Sequence, residues 1–222
     1  MARLGLVISH LFEKSSSRLA GLAAAADIWS FRRLPPPPWL PGLRRRSFHW
    51  GLGTVSADFS KAFIREGLDR SLNEYEVELF SFDLGPSARR HLGILPLSQP
   101  LGASAIRRHT EAALKMVRRH YSGPMAAENY NFYPTGLYRQ VTDPAFMEKF
   151  LAEFGLGLVL DLAHAAVTAH NIGMSLGDYL DALPLEKTME IHVSSPWLPH
   201  IPGLMAVDYH GPPDEREWDW LE

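Results

Sequence analysis

Side chains able to hold a metal recur where the apolar runs of this sequence end. They are His49, Asp83, Glu128, Asp161 and His192, and Asp208 and His210 follow in the loop after the last run. Carboxylates and imidazoles gathered in one place repel one another or stay unpaired unless a cation joins them. Asn129 and His164 lie beside two of these residues, one after Glu128 and three after Asp161, and are candidates for catalytic positions next to a metal. The chain has no cysteine, which excludes disulfides, thiolate nucleophiles and thiolate ligands. Any metal must be held by nitrogen and oxygen, a set that favours iron, manganese, zinc or magnesium over copper(I) or a cluster. Each residue alone also has a plainer reading. A lone His is often a hydrogen-bonded core residue, Asp161 can cap a helix, Glu128 can accept backbone N–H groups, and Asp208-Tyr-His210-Gly-Pro-Pro213 can be a turn. Their shared position at strand ends favours the metal.

The elements that must position them alternate. Strands are expected at Leu4–Ser9, Asp27–Phe31, Ser47–Gly51, Val77–Asp83, Met125–Asn129, Leu158–Leu162 and Met189–Ser194. Runs such as Gly157-Leu-Val-Leu-Asp161 are continuously apolar, as in strands covered on both faces of a parallel sheet. Helices are expected over Ala103–Tyr121, from Thr142-Asp-Pro144 to near Gly155, and from Ser175 to Leu183 before Pro184. Strand–helix alternation without hairpin signals indicates βαβ units. The expectation is an α/β fold: a (β/α) TIM-type barrel, incomplete, with about seven parallel strands. A single domain over residues 1–222 is expected, truncated at the C-terminal end and lacking the eighth strand. In such a barrel the C-terminal ends of all strands open on one face, so the candidate ligands converge. Leu34-Pro-Pro-Pro-Pro-Trp39 reads as a stiff loop.

The bulk composition narrows the function. A net charge of −3 gives no sign of a nucleic-acid partner. Arg44-Arg45-Arg46 and Arg89-Arg90 read as solvated loops. Leu4–Ser9 is too short for a signal segment and Ala20–Ala26 is helix-like, so a cytoplasmic protein without a membrane span is expected. His91, His109 and His120 are expected to face water. Tyr130, Phe132 and Tyr133 read as wall or core, and Gly51-Leu-Gly53 is too short for a dinucleotide loop.

Six strings in order carry a resemblance: Ala127-Glu128-Asn129, Leu160-Asp161-Leu-Ala-His164, His170-Asn171-Ile-Gly173, Tyr179-Leu-Asp-Ala-Leu-Pro184, Glu190-Ile-His192-Val and Asp208-Tyr-His210-Gly-Pro-Pro213. The chain resembles the multinuclear non-haem iron-dependent oxidative enzymes, which include the methanobactin-biosynthesis oxidase, best over residues 124 to 221. The resemblance implies a xylose-isomerase-like barrel holding two or three irons. It also implies an oxidoreductase that uses dioxygen to remodel a peptide, commonly with a partner protein that presents the peptide. It carries ligand roles to His49, Glu128, Asp161, His192, Asp208 and His210. His164 occupies a position that varies between His and Asn. Asp83 stands where the family usually has His, and the family's eighth-strand carboxylate has no counterpart here. Two other readings stay open: a non-redox divalent-metal isomerase, epimerase or phosphodiesterase acting on a small molecule, and a non-catalytic binding or scaffold barrel.

Overall fold

The protein is described from a computed structural model, over residues 5–8, 26–32, 34–35, 45–92, 94–201 and 203–221. Seven strands form one sheet in chain order: β1 (Gly5–Ile8), β2 (Ile28–Phe31), β3 (Arg45–Trp50), β4 (Leu79–Asp83), β5 (Met125–Glu128), β6 (Gly157–Asp161) and β7 (Thr188–His192). Every neighbouring pair is parallel. Sequential order with all-parallel pairing is the topology of a (β/α) barrel. The register decides what shares a level. Asp83 pairs with Glu128, Asp161 pairs with His192, and His49 lies beside Ser81.

Side chains alternate across each strand. Phe48, Trp50, Phe80 and Phe82 face one way and are buried, with Phe48 and Phe80 stacked at 6.0 Å and Trp50 against Phe59 at 4.9 Å. His49, Ser81, Asp83, Glu128, Asp161 and His192 occupy the alternate positions. A separate apolar cluster of Leu79, Ala126 and Val159 lies on that face of the sheet, two residues or more before the strand ends. The sheet is curled. Ser30 on β2 donates a 3.1 Å hydrogen bond to Glu190 on β7, although four strands separate the two in the sheet.

The helices are α1 (Phe59–Arg65), α2 (Leu68–Glu74), α3 (Ala103–Val117), α4 (Pro144–Phe154), α5 (Leu162–Ile172), α6 (Leu176–Ala182) and α7 (Glu215–Asp219). α3 buries Ile106, Ala113, Leu114 and Val117, the expected stripe. In α4, Asp143 accepts the Ala145 N–H at 3.1 Å, Pro144 opens the first turn, and Gly155 ends the helix at φ 61°. α5 starts directly from β6, with Asp161 as its cap. Among the described residues no helix is long and apolar enough to cross a membrane.

Some expectations need correction. Hairpins do occur: β8 (Ser195–Trp197) pairs antiparallel with β9 (Val207–Gly211), and His91–Leu92 pairs with Leu95–Pro96. Asp208 and His210 are therefore strand residues and not part of a loop. Arg45 and Arg46 open β3, where the Arg46 guanidinium donates to the Tyr75 carbonyl at 2.8 Å. His109 is half-buried beside Arg89, and His120 is half-buried with its ring 6.1 Å from Phe63. Most of the Leu34–Trp39 run and of Ala20–Ala26 lies outside the described residues.

Candidate metal centre

The strand ends bring three overlapping groups of ligand atoms together. His49, Asp83 and Glu128 form the first, Glu128, Asp161 and His192 the second, and Asp161, His164 and His210 the third. Within each group, one atom per residue lies within 4.8 Å of the others. Two ligands at about 2.0–2.2 Å from one ion lie at most about 4.4 Å apart, so small movements suffice for each group to close on a cation. Glu128 belongs to the first and second groups, and Asp161 to the second and third. Two shared carboxylates make the three groups one connected centre.

The contacts follow from the register. His49 Nε2 lies 3.0 Å from Asp83 Oδ1 and 3.3 Å from Glu128 Oε2, while its Nδ1 is 3.0 Å from the Ser81 hydroxyl. Asp83 is thus turned into the centre, and the turn that follows is tied instead by the Leu84 N–H to the Glu128 carbonyl. His192 Nδ1 meets Glu128 Oε1 at 2.5 Å, and its Nε2 meets Glu190 Oε1 at 2.9 Å. His164 Nδ1 donates to the Asn129 carbonyl at 2.8 Å, which leaves Nε2 toward Asp208 Oδ2 at 3.2 Å. His210 Nδ1 lies 2.8 Å from the same oxygen.

Positions behind the ligands are also built. The Asn129 amide donates to the Asp161 carbonyl at 2.9 Å and accepts the Asp161 N–H at 2.7 Å, so one side chain fixes the backbone of a shared carboxylate. Asn171, near the end of α5, accepts the Ala206 N–H at 2.7 Å and donates to the carbonyls of Phe132 and Ala206. It pins the hairpin that carries Asp208 and His210. Tyr130, Phe132 and Tyr133 pack with Leu137 and Tyr138 as wall, and the Tyr130 ring lies 5.8 Å from His164.

The charges are unbalanced without a cation. Burial, and then the Glu128 carboxylate, push Asp83 up to about 8. Burial also raises Asp161. His192, against the lowering effect of burial, is pushed up to about 10 by its bonds to Glu128 and Glu190. His164 is likewise raised, against burial, by Asp161, Asp208 and Glu128. Glu128 and Asp208 are held low, against burial, by the imidazoles facing them. Protons therefore stand where positive charge is needed. At the centre itself Asp208 Oδ2 is buried without a well-formed hydrogen bond, 3.2 Å from His164 Nε2 and 2.8 Å from His210 Nδ1. An oxygen so placed, among nitrogen and carboxylate donors with open positions, fits a divalent cation. A cavity of about 260 Å³ opens above, lined by Asp83, Glu128, His164 and His210 among others.

A sequence profile for RiPP precursor modification enzymes of the MbnB/TglH/ChrH type matches residues 52–220. The chain belongs to this family. Its xylose-isomerase-like barrel is the fold found here. A UPF0276 protein of Paraburkholderia phytofirmans is 33% identical over 93 residues, which cover 39% of this chain and 30% of the relative. One from Caulobacter sp. strain K31 is 29% identical over 111 residues, covering 47% and 40%. The matches span less than half the length of these curated relatives. Among solved structures, a D-tagatose 3-epimerase-like protein superposes with a TM-score of 0.55 at 12% identity, over 87% of this chain and 76% of its own. Endonuclease IV from Thermus thermophilus gives 0.54 at 16%, over 87% and 77%. At such identities the likeness speaks for the barrel alone. The ligand-bearing strands β4 to β7 and the β8–β9 hairpin all fall inside the matched family region, whereas His49 precedes it.

The sequence reading brought forward every residue of the three groups. It missed Glu190, Asn171, Asn131 and Arg32. Glu190 was the most accessible of these, because a strand places residues two apart on one face and His192 was already assigned.

Proposed function

We propose that this chain is a metal-dependent oxidative enzyme of the MbnB/TglH/ChrH family, using two or three iron ions to modify a residue of a ribosomally made peptide. The observation that supports it is the sharing of Glu128 and Asp161 between neighbouring ligand groups, an arrangement suited to adjacent metals bridged by carboxylates. Bound iron would supply one-electron chemistry and activation of dioxygen. The protein does the rest. Glu128 and Asp161 would hold and neutralise the ions, while His49, His164, His192 and His210 would offer imidazole nitrogen. Asp83 and Asp208 complete the outer two groups. Asn129 keeps Asp161 at its angle. Tyr130 and its aromatic neighbours wall the cavity and limit water. A partner protein that presents the peptide, and a cytoplasmic setting, belong to the same proposal.

Elemental analysis and Mössbauer spectroscopy of anaerobically purified protein test it. Two or three irons per chain are expected, with spectra of coupled ions. Glu128→Ala and Asp161→Ala should each lose more than one metal, and Asp208→Ala about one. A preparation that takes up only zinc or magnesium would move the protein to non-redox chemistry on the same barrel. One that holds no metal would leave a binding scaffold.

A further inference from the structure

Arg32 follows β2 at the end of the sheet where the metal groups lie, and it lines the cavity above them. It is half-buried, and among the described residues it forms no ion pair. Its charge still reaches Asp83 and Glu128, and draws both carboxyls down. A guanidinium keeps its charge at any physiological pH and presents donors in a fixed planar fork. Such a group with no bound acceptor at a cavity wall is a place for one. Asn131 lines the same cavity, is 8% exposed, and its Oδ1 makes no hydrogen bond. A buried amide oxygen in that condition wants an N–H. A second cavity of about 740 Å³ adjoins the first, and Arg32 and Gly51 line both. A bound chain can therefore run from one to the other past the guanidinium.

We propose that Arg32 and Asn131 form a substrate-positioning subsite for a carboxylate flanked by an N–H donor, the carboxylate on Arg32 and the N–H on Asn131 Oδ1. Two sources have this chemistry: the terminal carboxylate of a peptide, and the side chain of an acidic residue within it. The subsite rests on the reading of the centre as one that acts on a peptide. It positions the substrate, and neither residue takes part in the bond changes.

Calorimetry on the metal-loaded protein with three small probes tests it: N-acetylglycine, N-acetylglycinamide and N-acetylaspartamide, the last blocked at its C-terminus. At least one acid should bind tenfold or more tighter than the neutral amide. N-acetylglycine as the winner identifies a terminal carboxylate, and N-acetylaspartamide a side-chain one. Arg32→Gln should abolish the preference with metal content unchanged. Arg32→Lys should keep part of it, and Asn131→Ala should weaken the acid that binds. Equal binding of acid and amide by the native protein, or none up to high millimolar probe, overturns the subsite. So does a preference that survives Arg32→Gln, because the carboxylate is then held by metal. Loss of iron with the acid preference intact would remove the oxidative reading and leave the subsite. Full iron with no preference would do the reverse.

Discussion

Asp83 stands where the resemblance read from the sequence implies a histidine, and its consequences are those of a charge. With Asp83 pushed up to about 8 and His192 to about 10, both are largely protonated at neutral pH before metal binds. Ligands must shed those protons to bind a cation. Metal binding at pH 7 should therefore release more than one proton per chain, measured by calorimetry in buffers of different ionisation heat. Asp83→Asn should reduce the release by about one. No proton release would show that both groups are already deprotonated, and would remove the electrostatic account of the centre. Asp83→His restores an imidazole and takes away a negative charge. Should Asp83 bind iron, that variant should favour the ferrous state and raise the reduction potential relative to the native protein.

At the level of elements, the hairpin β8–β9 is the part on which the third ligand group depends. Asn171 holds it through two hydrogen bonds to the backbone of Ala206, and a third ties Asn171 to the Phe132 carbonyl. Asn171→Ala should cost the site about one metal per chain and leave the first group of His49, Asp83 and Glu128 loaded. Metal titration followed by limited proteolysis at the hairpin checks this, and unchanged stoichiometry would show that the hairpin is held by other means. This was also the element hardest to read in advance. Val207-Asp-Tyr-His-Gly211 is five residues with polar positions, followed by two prolines, and local sequence alone reads it as a turn. The sheet was legible because its better strands, such as Gly157–Asp161, are continuous apolar runs, and α3 and α4 because they carry a stripe or a cap. α5 was not read as a helix. It is buried for most of its length, and Leu162-Ala-His-Ala-Ala-Val-Thr-Ala has no polar face to betray a period. The ligands were visible by type and by place at strand ends. Arg32 was not, since an Arg32-Arg33 pair beyond a strand carries no local signal that tells it from a solvated loop, and its meaning lies in the cavity.

At the scale of the whole molecule the sheet is curled, so that β2 and β7, with four strands between them in pairing order, come close enough for Ser30 to donate to Glu190. Met189 and Ile191 on the outward face of β7 are about half exposed, at 50% and 46%. The centre draws on six strands of this architecture, so its protonation governs the stability of the fold. Asp83 has a folded value above its ordinary 3.8, so the native state binds more protons between about pH 4 and 8 and stability falls as pH rises through that window. The raised value of His192 contributes stability below about 6.5 that is lost as pH climbs toward 10. Metal-free protein should thus melt at progressively lower temperature from pH 6 to 9, and metal-loaded protein should show little slope. Parallel curves for the two forms would disprove the linkage. His210 adds a different cost. Its backbone lies at φ 51°, in the left-handed region that a side chain with a Cβ occupies at about 1–2 kcal/mol, and its ring is 59% exposed. An imidazole thus stands where glycine would rest more comfortably. His210→Gly should leave the empty protein as stable as the native one, or more so, while the native protein alone gains the full rise in melting temperature when metal is added. That is a trade of resilience for reactivity, made at a single residue.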